Sequence, residues 1–143
     1  MTKEEYAVSL RNRGYNCAQA VVCAFSEEIG MDEKELFRLS ECFGSGLGCT
    51  LGTCGALNGA CMVISYLSSS AHLDHPDSKG RTYMNERKTV QEFEKEAGAL
   101  QCRVIKGIET GEVLCECEDC VRIATGLCEK WIQENSRQDS FLL

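Results

Sequence analysis

The chain has 143 residues and a formal net charge of −7, because 22 Asp and Glu outweigh 15 Lys and Arg. Its basic residues are scattered among acids rather than clustered, which argues against nucleic acid or an anionic membrane as a partner. No apolar run reaches the roughly 18 residues that a membrane-spanning helix needs.

Apolar residues recur every three or four positions, and Pro76 is the only proline. This period predicts an all-α fold, a compact bundle of five to six helices. Asn16, followed three residues later by Gln19, has the pattern of a capping box, and Thr53 is a natural N-cap for a helix beginning at Cys54. In chain order, we expect helices over residues 3–12, 17–29, 32–43, 54–67, 79–97 and 120–133, with a short helical turn near residue 102.

The long charged helix over residues 79–97 has an apolar stripe of Tyr83, Val90, Phe93 and Ala97, which we expect to face the core. The length fits one domain of roughly 100–150 residues. We therefore expect a single cysteine-rich helical domain over residues 1–135 and a frayed tail over residues 136–143.

Eleven cysteines are the unusual feature of the composition. Their odd number leaves one thiol unpaired in any full set of internal disulfides. The first residues are polar and acidic and lack the apolar region of a signal peptide. We therefore expect a reducing, cytoplasmic location. In such a compartment, clustered cysteines indicate metal or redox chemistry rather than structural disulfides.

Four cysteines fall in, or just before, the first turn of an expected helix: Cys17, Cys54, Cys102 and Cys120. The free N–H groups and the dipole at a helix N-terminus stabilise a thiolate, which is the form that attacks disulfides and binds metals. For Cys54 this predicts a pKa below the usual value of about 8.5. The alternative for each residue is that cysteine serves as a small buried hydrophobe.

Glycines border the Cys54 segment on both sides. Gly46 and Gly48 lie in a glycine-rich loop over residues 44–52, which we interpret as a wall whose backbone N–H groups point at sulfur. Gly55 and Gly59 are four residues apart and put a bare strip on the following helix, where a cofactor or another backbone can approach closely. Next to an apolar run over residues 62–64, this strip is also a surface on which a symmetric homodimer could close.

The order of these motifs resembles the C_GCAxxG_C_C family, whose members are described as redox-active. The segments that carry the resemblance are Tyr15-Asn16-Cys17-Ala18-Gln19-Ala20, Phe43-Gly44-Ser45-Gly46-Leu47-Gly48, Cys54-Gly55-Ala56-Leu57-Asn58-Gly59, Cys102-Arg103 and Cys120. The resemblance implies a helical fold and four ordered cysteines that correspond to Cys17, Cys54, Cys102 and Cys120, with Cys115 and Cys117 competing for the last place. A related domain occurs in split-Soret cytochromes c, which carry haem and an iron–sulfur centre. The haem does not carry over, because this chain has no Cys-x-x-Cys-His.

Two local patterns suggest zinc instead. Cys115, Cys117 and Cys120 combine Cys-x-Cys and Cys-x-x-Cys spacings, although no second Cys-x-x-Cys completes a zinc ribbon. His72 and His75 form His-x-x-His in a polar connection, where a solvated loop is the simpler interpretation because no helix holds their geometry.

The leading hypothesis is a redox-active protein whose thiolates bind an iron–sulfur cluster and pass electrons to a partner protein. One alternative is a thiol–disulfide oxidoreductase in which Cys54 attacks and Cys17 or Cys102 resolves. Another is a structural zinc protein. The metal ligands expected are Cys17, Cys54, Cys102, Cys120 and Cys117, and the cofactor-binding glycines are Gly46, Gly48, Gly55 and Gly59. The sequence assigns no role to Cys49, and Cys115 stays only a competitor for the last cysteine place. A buried or auxiliary position is favoured for Cys23, Cys42, Cys61 and Cys128.

Overall fold

The computed structural model describes residues 1–135, and within that range the chain forms eight α-helices and no β-strand. The all-α prediction is confirmed, but the count of five to six helices is too low. The helices are α1 (Lys3–Asn12), α2 (Cys17–Ala24), α3 (Ser26–Ile29), α4 (Glu33–Ser40), α5 (Gly55–Ser68), α6 (Lys79–Ala97), α7 (Cys102–Ile105) and α8 (Cys117–Asn135). The count is higher than expected partly because the helix expected over residues 17–29 is divided at Phe25 into α2 and α3. The ring of Phe25 is completely buried. The frayed tail expected over residues 136–143 lies outside the described residues.

The helix α5 lies at the centre of the bundle and packs against α2, α6 and α8. The helix α1 packs against α2 and α8. The core between them is built from large apolar side chains that are almost fully buried, including Leu10, Phe25, Leu57, Ile64 and Phe93. No helix in residues 1–135 combines the length and the hydropathy that crossing a membrane requires.

The glycine strip on α5 is an internal contact and not an outer surface. A Cβ atom on Gly59 would lie 2.7 Å from the carbonyl oxygen of Ala18, so only glycine lets α5 approach α2 this closely. Gly55 and Ala56 are buried as well. The expectation that this strip is the dimer surface is therefore wrong. Formation of a homodimer as such stays a prediction.

Side-chain caps mark the starts of three helices, α1, α2 and α4. The Asn16 side chain accepts from the N–H of Gln19, and the Gln19 side chain accepts in return from the N–H of Asn16, which confirms the predicted capping box. At α5 the N-cap is Cys54 rather than Thr53, because Thr53 is held in an antiparallel bridge with Gln101. Helix α8 begins at Cys117, one turn before the predicted start at Cys120.

The stripe predicted for α6 is partly wrong. Phe93 and Ala97 are buried and Val90 is half-buried, but Tyr83 is 57% exposed. Gly98, with a φ of +94°, ends the helix as predicted, because a left-handed residue at this position is the usual helix stop.

The loop between Phe43 and Cys54 contains one left-handed turn. Ser45, Gly46, Leu47 and Gly48 follow one another with φ values between +50° and +76°. A left-handed residue that carries a Cβ costs about 1–2 kcal/mol, so Ser45 and Leu47 are held in this conformation by the surrounding contacts. Strain of this kind is typical of functional sites.

Candidate redox site of clustered cysteines

Five of the eleven cysteines line one cavity of about 300 Å³. They come from four elements of the fold: the start of α2, the start of α5, the start of α7 and the first turn of α8. The five residues are Cys17, Cys54, Cys102, Cys117 and Cys120. All five were predicted as site residues. Within residues 1–135, all eleven cysteines carry free thiols.

Cys54 is a buried thiol whose pKa is lowered. It is 7% exposed, and its pKa is lowered to about 7, mainly because the thiol of Cys120 hydrogen-bonds to the Cys54 sulfur. No conventional side-chain hydrogen bond caps α5, but the N–H groups of Leu57 and Ala56 act on the sulfur and favour the thiolate. Lys106 adds a smaller favourable charge, and burial opposes all of these effects. The pKa below 8.5 that the helix start predicted is therefore present, although the larger cause is Cys120.

Cys120 is the partner of Cys54 and has the opposite behaviour. Its pKa is raised, first by the hydrogen bond with Cys54 and then by burial. The Cys120 thiol also lies 4.0 Å from the carbonyl oxygen of Cys115. Near pH 7 about half of the Cys54 thiols are therefore ionised, while Cys120 keeps its proton.

Cys17 and Cys102 remain protonated because burial raises the pKa of each thiol. The backbone N–H of Ser45, in the left-handed turn, acts against burial at Cys17, and Lys106 does so at Cys102. The glycine-rich loop therefore does place an N–H group at one sulfur, as the sequence suggested.

Two of the four predicted glycines border these sulfurs. A Cβ atom on Gly55 would lie 2.3 Å from the Cys17 sulfur, and one on Gly46 would lie 2.4 Å from the Cβ of Cys102. Gly48 faces open space, and Gly59 contacts α2 away from the cavity. The close approach around the thiols thus depends on Gly46 and Gly55.

The other cysteines lie outside the cavity lining. Cys23 and Cys128 are buried in the core, Cys61 and Cys115 are half-buried, and Cys42 and Cys49 are exposed. Burial raises the pKa of Cys23 to about 12. The expectation of a buried or auxiliary position is met by Cys23 and Cys128, but Cys42 is not buried.

Two basic residues of the cavity were missed at the level of sequence. Arg11, near the end of α1, and Lys106, which follows α7, both line the cavity. Lys106 is four residues after Cys102, and this spacing would have placed the two on one face of a helical turn. No comparable signal points to Arg11.

A single metal ion does not match the side chains as they stand. A zinc site needs four ligands within about 2.0–2.3 Å of one point, and residues 1–135 contain no group of three or more His, Cys, Asp or Glu that could hold a metal ion. The His72 ring instead contacts the carboxylate of Asp77 at 3.0 Å, and both side chains are exposed.

Comparison with known proteins adds one finding. Residues 15–131 match the family described as "Putative redox-active protein (C_GCAxxG_C_C)". No curated protein and no solved structure matches the chain. The matched range covers all five cysteines of the cavity, and the chain belongs to the C_GCAxxG_C_C family.

Proposed function

We propose that this protein is an electron carrier whose cysteine cavity binds an iron–sulfur cluster and exchanges electrons with a partner protein. The observation that supports this proposal is the convergence of five thiols from four elements on one cavity of about 300 Å³. Thiol–disulfide chemistry needs only two cysteines, whereas an iron–sulfur cluster needs four thiolate ligands. The redox description of the family agrees with this choice.

The donor set suits a cluster better than a lone ion. All the soft ligands are cysteine sulfurs, the type that iron–sulfur clusters select. Thiolates of a cluster bind different iron atoms, so they need not meet at one point, as the ligands of zinc must. Cys17, Cys54 and Cys102 would hold the cluster together with Cys117 or Cys120, and when bound it would supply one-electron transfer.

The test is anaerobic purification followed by an absorbance spectrum and analysis of iron, acid-labile sulfide and zinc. We expect a brown protein with iron and sulfide in stoichiometric amounts. Cys54→Ser should lose most of both, because a serine hydroxyl stays protonated and is a poor ligand. Cys61→Ser is the matched control, since Cys61 lies on the same helix, seven residues further on and outside the cavity. Equal iron and sulfide in the two variants would contradict the proposal.

A second candidate, thiol–disulfide exchange, is favoured by one specific observation: the acidic thiol of Cys54 is paired with Cys120. In this reaction the Cys54 thiolate attacks a partner disulfide, forms a mixed disulfide and releases one partner thiolate. Cys120 then loses its proton and attacks the Cys54 sulfur, so that the second partner thiolate leaves with the electron pair. The contact favours Cys120 over Cys17 or Cys102 as the resolving residue.

Mass spectrometry separates the two candidates. Metal-free reduced protein is mixed with a small disulfide and then digested. A Cys54–Cys120 disulfide in the wild type, and a trapped mixed disulfide at Cys54 in Cys120→Ser, support the exchange reaction. If the purified protein is colourless and forms these two disulfides, the iron–sulfur cluster is excluded. Iron- and sulfide-loaded protein that leaves the disulfide intact excludes the exchange.

A further inference from the structure

The lining of the cysteine cavity has a charge opposite to that of the protein. The chain carries a formal charge of −7, yet among residues 1–135 the cavity is lined by two basic side chains and by no Asp or Glu. Arg11 approaches from α1 and Lys106 from the end of α7, so two separate elements each bring one cation to the thiols.

Within residues 1–135, neither Arg11 nor Lys106 makes an ion pair with a carboxylate. By contrast, Arg103 pairs with Glu109 at 3.1 Å and Lys130 with Glu92 at 3.6 Å. Both side chains are half-buried. Partly buried charges are less screened by solvent than exposed ones, so their effect on neighbouring groups is larger. Lys106 already acts electrostatically on both Cys54 and Cys102.

We propose that Arg11 and Lys106 are the counter-charges of the cysteine site and raise its reduction potential. This inference rests on the proposed redox function. Reduction adds negative charge in either chemistry: one electron enters a thiolate-bound cluster, or two electrons convert a disulfide into a thiolate and a thiol with uptake of one proton. In both cases the two cations stabilise the reduced form more than the oxidised form, so they favour reduction.

The experiment measures the reduction potential of the purified protein by anaerobic titration against redox dyes or a thiol–disulfide buffer. Lys106→Met and Arg11→Met should each make the reduced form about tenfold less favourable, the scale expected for one charge within about 10 Å at an effective dielectric constant near 20. For a one-electron centre this is a shift of about −59 mV, and for a two-electron dithiol about −30 mV. Lys106→Arg, which keeps the charge, should retain the wild-type potential.

Lys130→Met is the matched control, because it removes one positive charge from α8 outside the cavity. Its potential should equal that of the wild type. If Lys106→Met fails to fold, as judged by circular dichroism, Arg11→Met decides the question from a different helix. Unchanged potentials in the Met variants, or an equal shift in Lys130→Met, overturn the inference and leave the redox function standing. A wild-type protein with no cluster and no reversible disulfide overturns both.

Discussion

The coupling between Cys54 and Cys120 makes a quantitative prediction for Cys120→Ala. This change removes the strongest influence that lowers the pKa of Cys54 to about 7. A hydrogen bond to a charged group contributes about 1.5–3 kcal/mol, and one pKa unit corresponds to about 1.4 kcal/mol. The pKa of Cys54 should therefore rise by about 1–2 units, to about 8–9.

The assay is alkylation of metal-free, reduced protein with iodoacetamide at a series of pH values, with the product at each cysteine quantified by mass spectrometry. In the wild type, the rate at Cys54 should follow a titration with a midpoint near pH 7. Cys23 is buried and its pKa is raised to about 12. At neutral pH, Cys54 should therefore be alkylated at least about 100-fold faster than Cys23, a factor that already allows for the greater nucleophilicity of the more basic Cys23 thiolate. In Cys120→Ala, the midpoint should move upward.

Cys128→Ala controls for a general loosening of α8. Cys128 lies on the same helix, eight residues beyond Cys120, and is buried against the carbonyl oxygen of Ala60, away from the cavity. Its removal should leave the Cys54 midpoint near pH 7. The explanation is refuted if Cys120→Ala leaves the midpoint unchanged, or if Cys128→Ala moves it by the same amount.

Three further predictions concern stability. Asn16→Ala removes the capping bond that the Asn16 side chain accepts from the N–H of Gln19, together with the bond that its amide donates to the carbonyl oxygen of Glu41. It should lower the free energy of unfolding by about 1–2 kcal/mol in urea; an unchanged midpoint would show that the cap contributes nothing. Gly55→Ala places a Cβ 2.3 Å from the Cys17 sulfur, so it should cost about 1–3 kcal/mol of stability and displace that thiol. Gly48→Ala meets no described atom within 4 Å and should cost only about 1–2 kcal/mol of backbone strain. Urea denaturation and thiol titration measure both variants, and equal thiol reactivity in the two would count against the close contact. Folding raises the pKa of Cys23 to about 12, so as pH rises the unfolded chain loses this proton before the folded protein does. Stability should therefore fall as pH rises above about 8.5. The thermal midpoint should decline less steeply with pH in Cys23→Ala, and an identical decline in the wild type and the variant would exclude Cys23 as the cause.

Much of the helical framework could be predicted because capping acts within four residues. The Asn16 and Gln19 pair, the first helix over residues 3–12 and the stop at Gly98 are all confirmed. The errors occur where a contact between distant segments overrides a local preference. Thr53 has the side chain of an N-cap, but its bridge to Gln101 moves the cap to Cys54.

The glycines also show the difference between local preferences and contacts between distant segments. The spacing of Gly55 and Gly59 predicts a bare strip on a helix, and the strip exists. Whether it faces a second subunit or another helix of the same chain depends on which element packs there, and α2 occupies it. Tyr83 fits the apolar stripe of α6 by period, but the bundle leaves it in solvent.

By itself the sequence determined that the protein is helical and that four of its cysteines occur at helix starts, because capping and periodicity are recorded in neighbouring residues. Only the tertiary structure decided that Cys120 pairs with Cys54, that Cys117 and Cys120 rather than Cys115 line the cavity, and that Arg11 and Lys106 supply the positive charge. Cys54 and Cys120 are 66 residues apart, and their contact arises from the packing of α5 against α8. A thiol's pKa depends on the atoms around its sulfur, and the packing of distant helices determines which atoms those are.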